Sequence, residues 1–143
     1  MTEVELQTFV QEFTTFQIWR EYTAYARDIY GATAERIDVT TGSEYNDEYS
    51  YMAVESVEVA NAAGIQLTPD LSTDWWQSKL AELPADQRVL LSQNDELYED
   101  WIDDAIGERR SALPVLDGGY NRFFVSHPPK RAHRTLYVQV EEA

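Results

Sequence analysis

Residues 36–67, RIDVTTGSEYNDEYSYMAVESVEVANAAGIQL, change the rhythm of the chain. Apolar and polar side chains alternate here, at Met52 and Val54 and then, after a change of phase near Ser56, at Val57 and Val59. A period of two places successive side chains on opposite faces of a strand. SEYNDE (43–48) and NAAG (61–64) supply turn residues between the runs. The stretch therefore predicts a meander of two or three strands, with Glu55 and Glu58 on its polar face.

Both flanks read as helix. From residue 3 to about 30, Val4, Leu6, Phe9, Val10, Phe13, Phe16 and then Ile18, Trp19 and Tyr22 recur at three and four. Thr2 is an N-cap with Glu5 three residues on, the pattern of a capping box. Within FTTFQIWREYTAYARDIYG (13–31) the density of Thr, Tyr and Phe also suits a strand over 16–25, and Gly31 closes the segment in either form. After the meander, Ser72 or Thr73 caps a helix to Leu83, with Asp74 in its first turn. Pro84 opens a second helix to about Leu91, and Ser92 or Asn94 caps a third. RFFVSHPPKRAHRTLYVQV (122–140) predicts a hairpin with arms 122–126 and 135–140 around a basic, Pro-rich loop. The order helix, strands, helices, strands gives an α+β fold. The expectation is a single compact domain over 1–143. Its mostly antiparallel sheet, a central meander plus C-terminal hairpin, packs against an N-terminal helix and two to three central helices.

Charge is the other signal. With 26 acids against 11 bases the chain carries −15. Residues 1–108 hold 23 acids and 5 bases, a net −18, and the remainder holds 3 acids and 6 bases, a net +3. An acidic field repels nucleic acid and anionic membranes and draws in basic surfaces. At 43% apolar and 13% aromatic residues the chain is too rich in rings for a disordered acidic tail. It has no Cys, so disulfides, thiol catalysis and cysteine-bound zinc are excluded. The acidic, periodic N-terminus does not read as a secretory signal, and a cytoplasmic location is the default.

The acidity concentrates in NDELYEDWIDDAIGE (94–108), which holds seven carboxylates and no base. On a helix, Leu97, Trp101, Ile102, Ala105 and Ile106 form one apolar stripe facing a core. Glu96, Asp100 and Asp104 form one i,i+4 row, and Glu99 and Asp103 another. Like charges so placed cost roughly 0.2–0.5 kcal/mol per pair. Three readings compete: a solvated face, a divalent-metal site, and a surface imitating the phosphates of a nucleic acid. The imitation rests on i,i+4 spacing of about 6 Å, comparable to that of successive phosphates. Glu44, Asp47, Glu48, Glu55 and Glu58 extend the patch if the hairpin lies beside this helix. Trp75 and Trp76, roughly 100° apart on a helix, supply one core ring and one anchor for a partner.

Other chemistry has little support. His127 and His133 lack a third zinc ligand at recognisable spacing. DGGYN (117–121) is too short for a phosphate loop, and Ser43 sits in no nucleophile elbow. The sequence thus points to a non-enzymatic acidic interaction module without a cofactor. Its partner is a basic protein, most specifically one whose nucleic-acid site it occupies as an inhibitor. A carboxylate-bound divalent-metal enzyme is one alternative. The other is an accessory subunit of a salt-adapted organism, since nine Arg and two Lys amid many acids also fit that habitat.

Overall fold

The computed structural model describes residues 2–45 and 47–129. Helix α1 (Glu3–Tyr30) is continuous, so the strand alternative for 16–25 fails. Tertiary packing decides it: Tyr22, Tyr25, Ala26 and Ile29 line one helical face and are all fully buried, which outweighs aromatic β propensity. The capping box forms as the sequence requires. Thr2 Oγ1 accepts from the Glu5 amide at 3.2 Å while the Thr2 amide donates to Glu5 Oε2 at 3.0 Å. At the other end Gly31 takes φ +97°, a conformation that disfavours side chains, and an added Cβ would lie 2.7 Å from Asp70 Oδ2.

The last carbonyls of α1 have no helical partner of their own, and the approach to the next helix satisfies them. The Asp70 amide and Trp76 Nε1 both donate to Ile29 O, at 2.8 and 2.9 Å. Thr73 Oγ1 donates to Asp28 O at 2.6 Å. The same hydroxyl accepts from the Trp76 amide at 3.4 Å and so caps α2 (Asp74–Ala81). One side chain closes one helix and opens the next. Helix α3 (Ala85–Gln93) begins after Pro84, and α4 (Asp95–Ser111) is capped by Asn94 Oδ1, which accepts from the Leu97 amide at 3.1 Å.

Among the described residues the sheet has three antiparallel strands, β1 (Arg36–Tyr45), β2 (Ser50–Ala60) and β3 (Tyr120–Phe124), in the order β2-β1-β3. Ile37 lies between Val59 and Phe123, and Val39 between Val57 and Asn121. These face the helices. Asp38, Glu58 and Arg122, one position along each strand, face the other way. The phase change near Ser56 is a bulge: Thr40 pairs with Ser56 but Thr41 with Val54, leaving Glu55 as the extra residue. The third run of the meander reduces to one bridge, Ala60 with Gln66. Strand β3 starts two residues before the predicted arm. The other arm, 135–140, lies outside the described residues with Lys130, Arg131, His133 and Arg134.

The core joins the helix-facing side of the sheet to α1, α2 and α4. Trp76, 0% exposed, packs between Trp75 and Trp101, with ring centroids at 4.7 and 5.5 Å. Tyr22 stacks on Phe123 at 5.1 Å and donates to Pro114 O at 2.6 Å. Burial, with Glu21 nearby, pushes its phenol up to about 12.

Because Thr73 serves two helices, Thr73→Val should lower stability by about 1–2 kcal/mol, the range of a lost cap and a lost buried hydrogen bond. Thr73→Ser should recover most of that loss in a urea melt. A full loss in Thr73→Ser with none in Thr73→Val would show that the methyl group matters and the hydroxyl does not.

Candidate functional site

Helix α4 turns Trp101, Ile102, Ala105 and Ile106 toward the core. Leu97, predicted as part of that stripe, is 39% exposed, because the first turn of α4 extends past the sheet-and-helix core. The remaining faces expose Glu96, Glu99, Asp100, Asp103 and Asp104. Among the described residues none of these five is in an ion pair or a side-chain hydrogen bond. The ion pairs lie elsewhere: Arg36 and Arg122 on Asp38, Arg109 on Asp28, and Lys79 on Glu82. Basic residues of α4 occur only in its last turn, at Arg109 and Arg110, where the helix dipole favours them.

The tryptophan pair divides as diverging helical side chains must. Trp76 is sealed in the core and cannot meet a partner, which removes it from the set of anchors. Trp75 is half-buried, with Lys79 Nζ 5.6 Å from its ring centroid. The tryptophan on the acidic helix itself is Trp101, which the sequence reading assigned only to the core stripe. It is half-buried and borders a cleft of about 410 Å³ with Leu83, Glu82, Lys79, Asp104 and Glu108. Three carboxylates and one ammonium line this cleft beside an aromatic ring, a setting that favours a cationic side chain.

Glu55 and Glu58 do not join this surface. Glu58 sits across from Asp38 on the open side of the sheet, whereas Ala105 of α4 packs with Val57 and Val59 on the other. Glu55, at the bulge, lies over Gly42, where a Cβ would collide with its carboxylate. Glu44, Asp47 and Glu48 cluster at the hairpin tip and are exposed. Two acidic regions face in different directions, and strand phase alone does not say which side a later helix will cover.

Sequence reading missed the polar cluster on the open sheet face. Asp38 Oδ1 accepts from Arg122 Nε at 2.6 Å and from Tyr120 Oη at 2.7 Å, and Oδ2 is 3.2 Å from Arg36 Nε. Burial pushes the Asp38 carboxyl up, but hydrogen bonds from Arg122 and Tyr120, with the charges of Arg122 and Arg36, together outweigh it and hold it below the usual range. Nearby, Ser126 Oγ donates to Glu35 and lies 3.0 Å from His127 Nδ1. Because its one hydroxyl proton is directed at Glu35, Ser126 has none to give the imidazole, the reverse of what an activated serine needs. Among the described residues no three His, Asp or Glu side chains converge to hold a metal ion, and no helix is long and apolar enough to cross a membrane. Compared with protein-family models, curated proteins and solved structures, the chain matches none.

Two outcomes test these electrostatics. Asp38 has a lower folded than unfolded pKa, so its stabilisation is present above the unfolded value, near 3.8, and is lost as pH falls through the folded one. Asp38→Asn should therefore be less stable than wild type at pH 7, with the gap narrowing below about pH 4 in acid melts. On α4, Glu99→Gln with Asp103→Asn removes like-charge pairs. It should raise stability by a few tenths of a kcal/mol at low salt, and the gain should vanish at high salt.

Proposed function

We propose that this protein is a non-enzymatic acidic interaction module that docks the outer surface of α4 onto the basic site of another protein. In its most specific form it is an inhibitor that occupies a nucleic-acid-binding groove. One observation carries the reading: seven carboxylates lie exposed on a single 17-residue helix, while the ion pairs among the described residues serve other acids. A helix needing only solubility gains by interleaving bases, since each i,i+4 pair then turns from a cost into a gain. Here the cost is retained along two rows.

A row of fixed carboxylates about 6 Å apart meets Lys and Arg side chains at intervals suited to a phosphate-binding groove. Long-range attraction speeds encounter and makes it sensitive to ionic strength. Anchoring falls to two half-buried rings, Trp101 in a cleft lined also by Asp104 and Glu108, and Trp75 in a second cleft lined also by Glu108. Aromatic anchors beside charged rims are the usual form of an interface hot spot.

The test is affinity capture from the source organism's lysate, using wild type and Glu99→Lys/Asp103→Lys side by side. Wild type should retain a basic nucleic-acid-binding protein that both raised salt and added duplex DNA displace. The reversed variant should lose at least about tenfold in affinity, which is roughly 1.4 kcal/mol, with an unchanged thermal melt. Equal retention by the two proteins would remove α4 from the interface.

A further inference from the structure

Helix α1 carries a second apolar stripe that the core does not use. Its body-facing residues are Tyr22, Tyr25, Ala26 and Ile29, all fully buried. Leu6, Val10 and Phe13 are exposed at 40%, 52% and 43%. At the α-helical rotation per residue they centre roughly 140° around the helix from the buried face. They cannot be an extension of the core stripe.

The exposed stripe has a regular spacing. Glu3, Leu6, Val10, Phe13, Gln17 and Arg20 succeed one another at three, four, three, four and three residues, the a/d rhythm of a paired helix. The series is also self-complementary when reversed. An antiparallel pairing sets Glu3 against Arg20, Leu6 against Gln17 and Val10 against Phe13, and the two-fold axis repeats each match. A parallel pairing sets Glu3 on Glu3 and Arg20 on Arg20. The seam holds one acid and one base, so its charges balance within a pair of copies, unlike those of α4. Gln17 and Arg20 also border a cleft of about 370 Å³ whose wall includes Arg109. The arriving first turn of a second copy brings its Glu3 to Arg20; Glu21 also lines the cleft, and Arg109 is already held by Asp28.

We infer that residues 3–20 of α1 form a self-association surface, in which a second copy of this chain packs its own α1 antiparallel to the first. The interface is isologous, as two-fold dimers require. It is separate from the α4 surface and responds to salt in the opposite sense. Two bodies of −15 each repel, and screening relieves that repulsion while leaving apolar contact in place. The terminal Glu3–Arg20 pairs weaken with salt, but exposed pairs contribute little.

The chain has no Cys, so single cysteines report directly on the pairing. Full-length Val10→Cys and Phe13→Cys proteins are oxidised alone and as an equal mixture, beside sedimentation of wild type across a concentration and salt series. A Val10–Phe13 contact predicts that the mixture cross-links several-fold faster than either variant alone. Wild type should form a reversible dimer that strengthens with salt, and Val10→Glu should remain monomeric with an unchanged melt. Faster cross-linking of each variant with itself would overturn the antiparallel register. A wild type that stays monomeric throughout, or a dimer that survives Val10→Glu, would overturn the surface.

Discussion

The carbonyl groups of Asp28 and Ile29 are the point on which the fold turns. A helix ends with acceptors that its own amides cannot reach, and at a buried end each unmet acceptor costs on the order of 1–3 kcal/mol. Here the Asp70 amide, the Thr73 hydroxyl and the Trp76 indole meet them. Those three donors fix where α2 begins and how Trp76 enters the core. Trp76 in turn sets the position of Trp101, and hence of α4. Arg109, near the end of α4, returns to Asp28 at 3.2 Å, so both ends of this chain of contacts meet at one turn of α1. Gly31 belongs to the same junction, because Asp70 occupies the space that a side chain there would need.

This arrangement explains how the charge came to be segregated. Residues 1–108 have few bases. Arg36 joins Arg122 at Asp38, where a partly buried carboxylate binds β1 to β3, and Lys79 lies between Trp75 and Glu82. Arg36 and Arg122 at Asp38, and Arg109 at Asp28, sit where elements are tied together. What remains on the outer surface of α4 is uncompensated, and α4 tolerates it because exposed like charges cost only tenths of a kcal/mol each. A dipole-matched helix, acidic at its start and basic in its last turn, offsets part of that.

Features set by neighbours in sequence were legible; those set by distant packing were not. The capping box at Thr2, the cap at Thr73, the start after Pro84 and the Asn94 cap all follow from residues within four positions of one another. The phase change near Ser56 was visible in the sequence, and the structure shows its cause, a bulge with Glu55 as the extra residue. The strand alternative for 16–25 was open because Tyr22 and Tyr25 suit either form until a core face selects one. Leu97 fitted the helical stripe of α4 but fell beyond the core, since periodicity gives direction and not reach. The Asp38 cluster needed the pairing of β1 with β3, more than eighty residues apart. The exposed face of α4 was visible as composition, whereas the separation of Glu55 and Glu58 from it depended on which side of the sheet α4 packs.

Helix α1 shows why a single moment along a helix misleads. Its two stripes point in different directions, so their contributions partly cancel, although each alone is clearly amphipathic. The C-terminal half is held by the core. The N-terminal half opens on the Thr2–Glu5 box and buries Phe9, and the hydroxyls of Thr8, Thr14 and Thr15 bond back to Val4, Val10 and Gln11 carbonyls at 2.9–3.0 Å. Helices of about 12–15 residues are marginal in water when unsupported. Growth from a fixed C-terminal half removes the nucleation cost, and the cap then holds the far end. An apolar stripe displayed on such a segment is already in its binding form, so pairing forgoes most of the ordering entropy that an unstructured arm would lose.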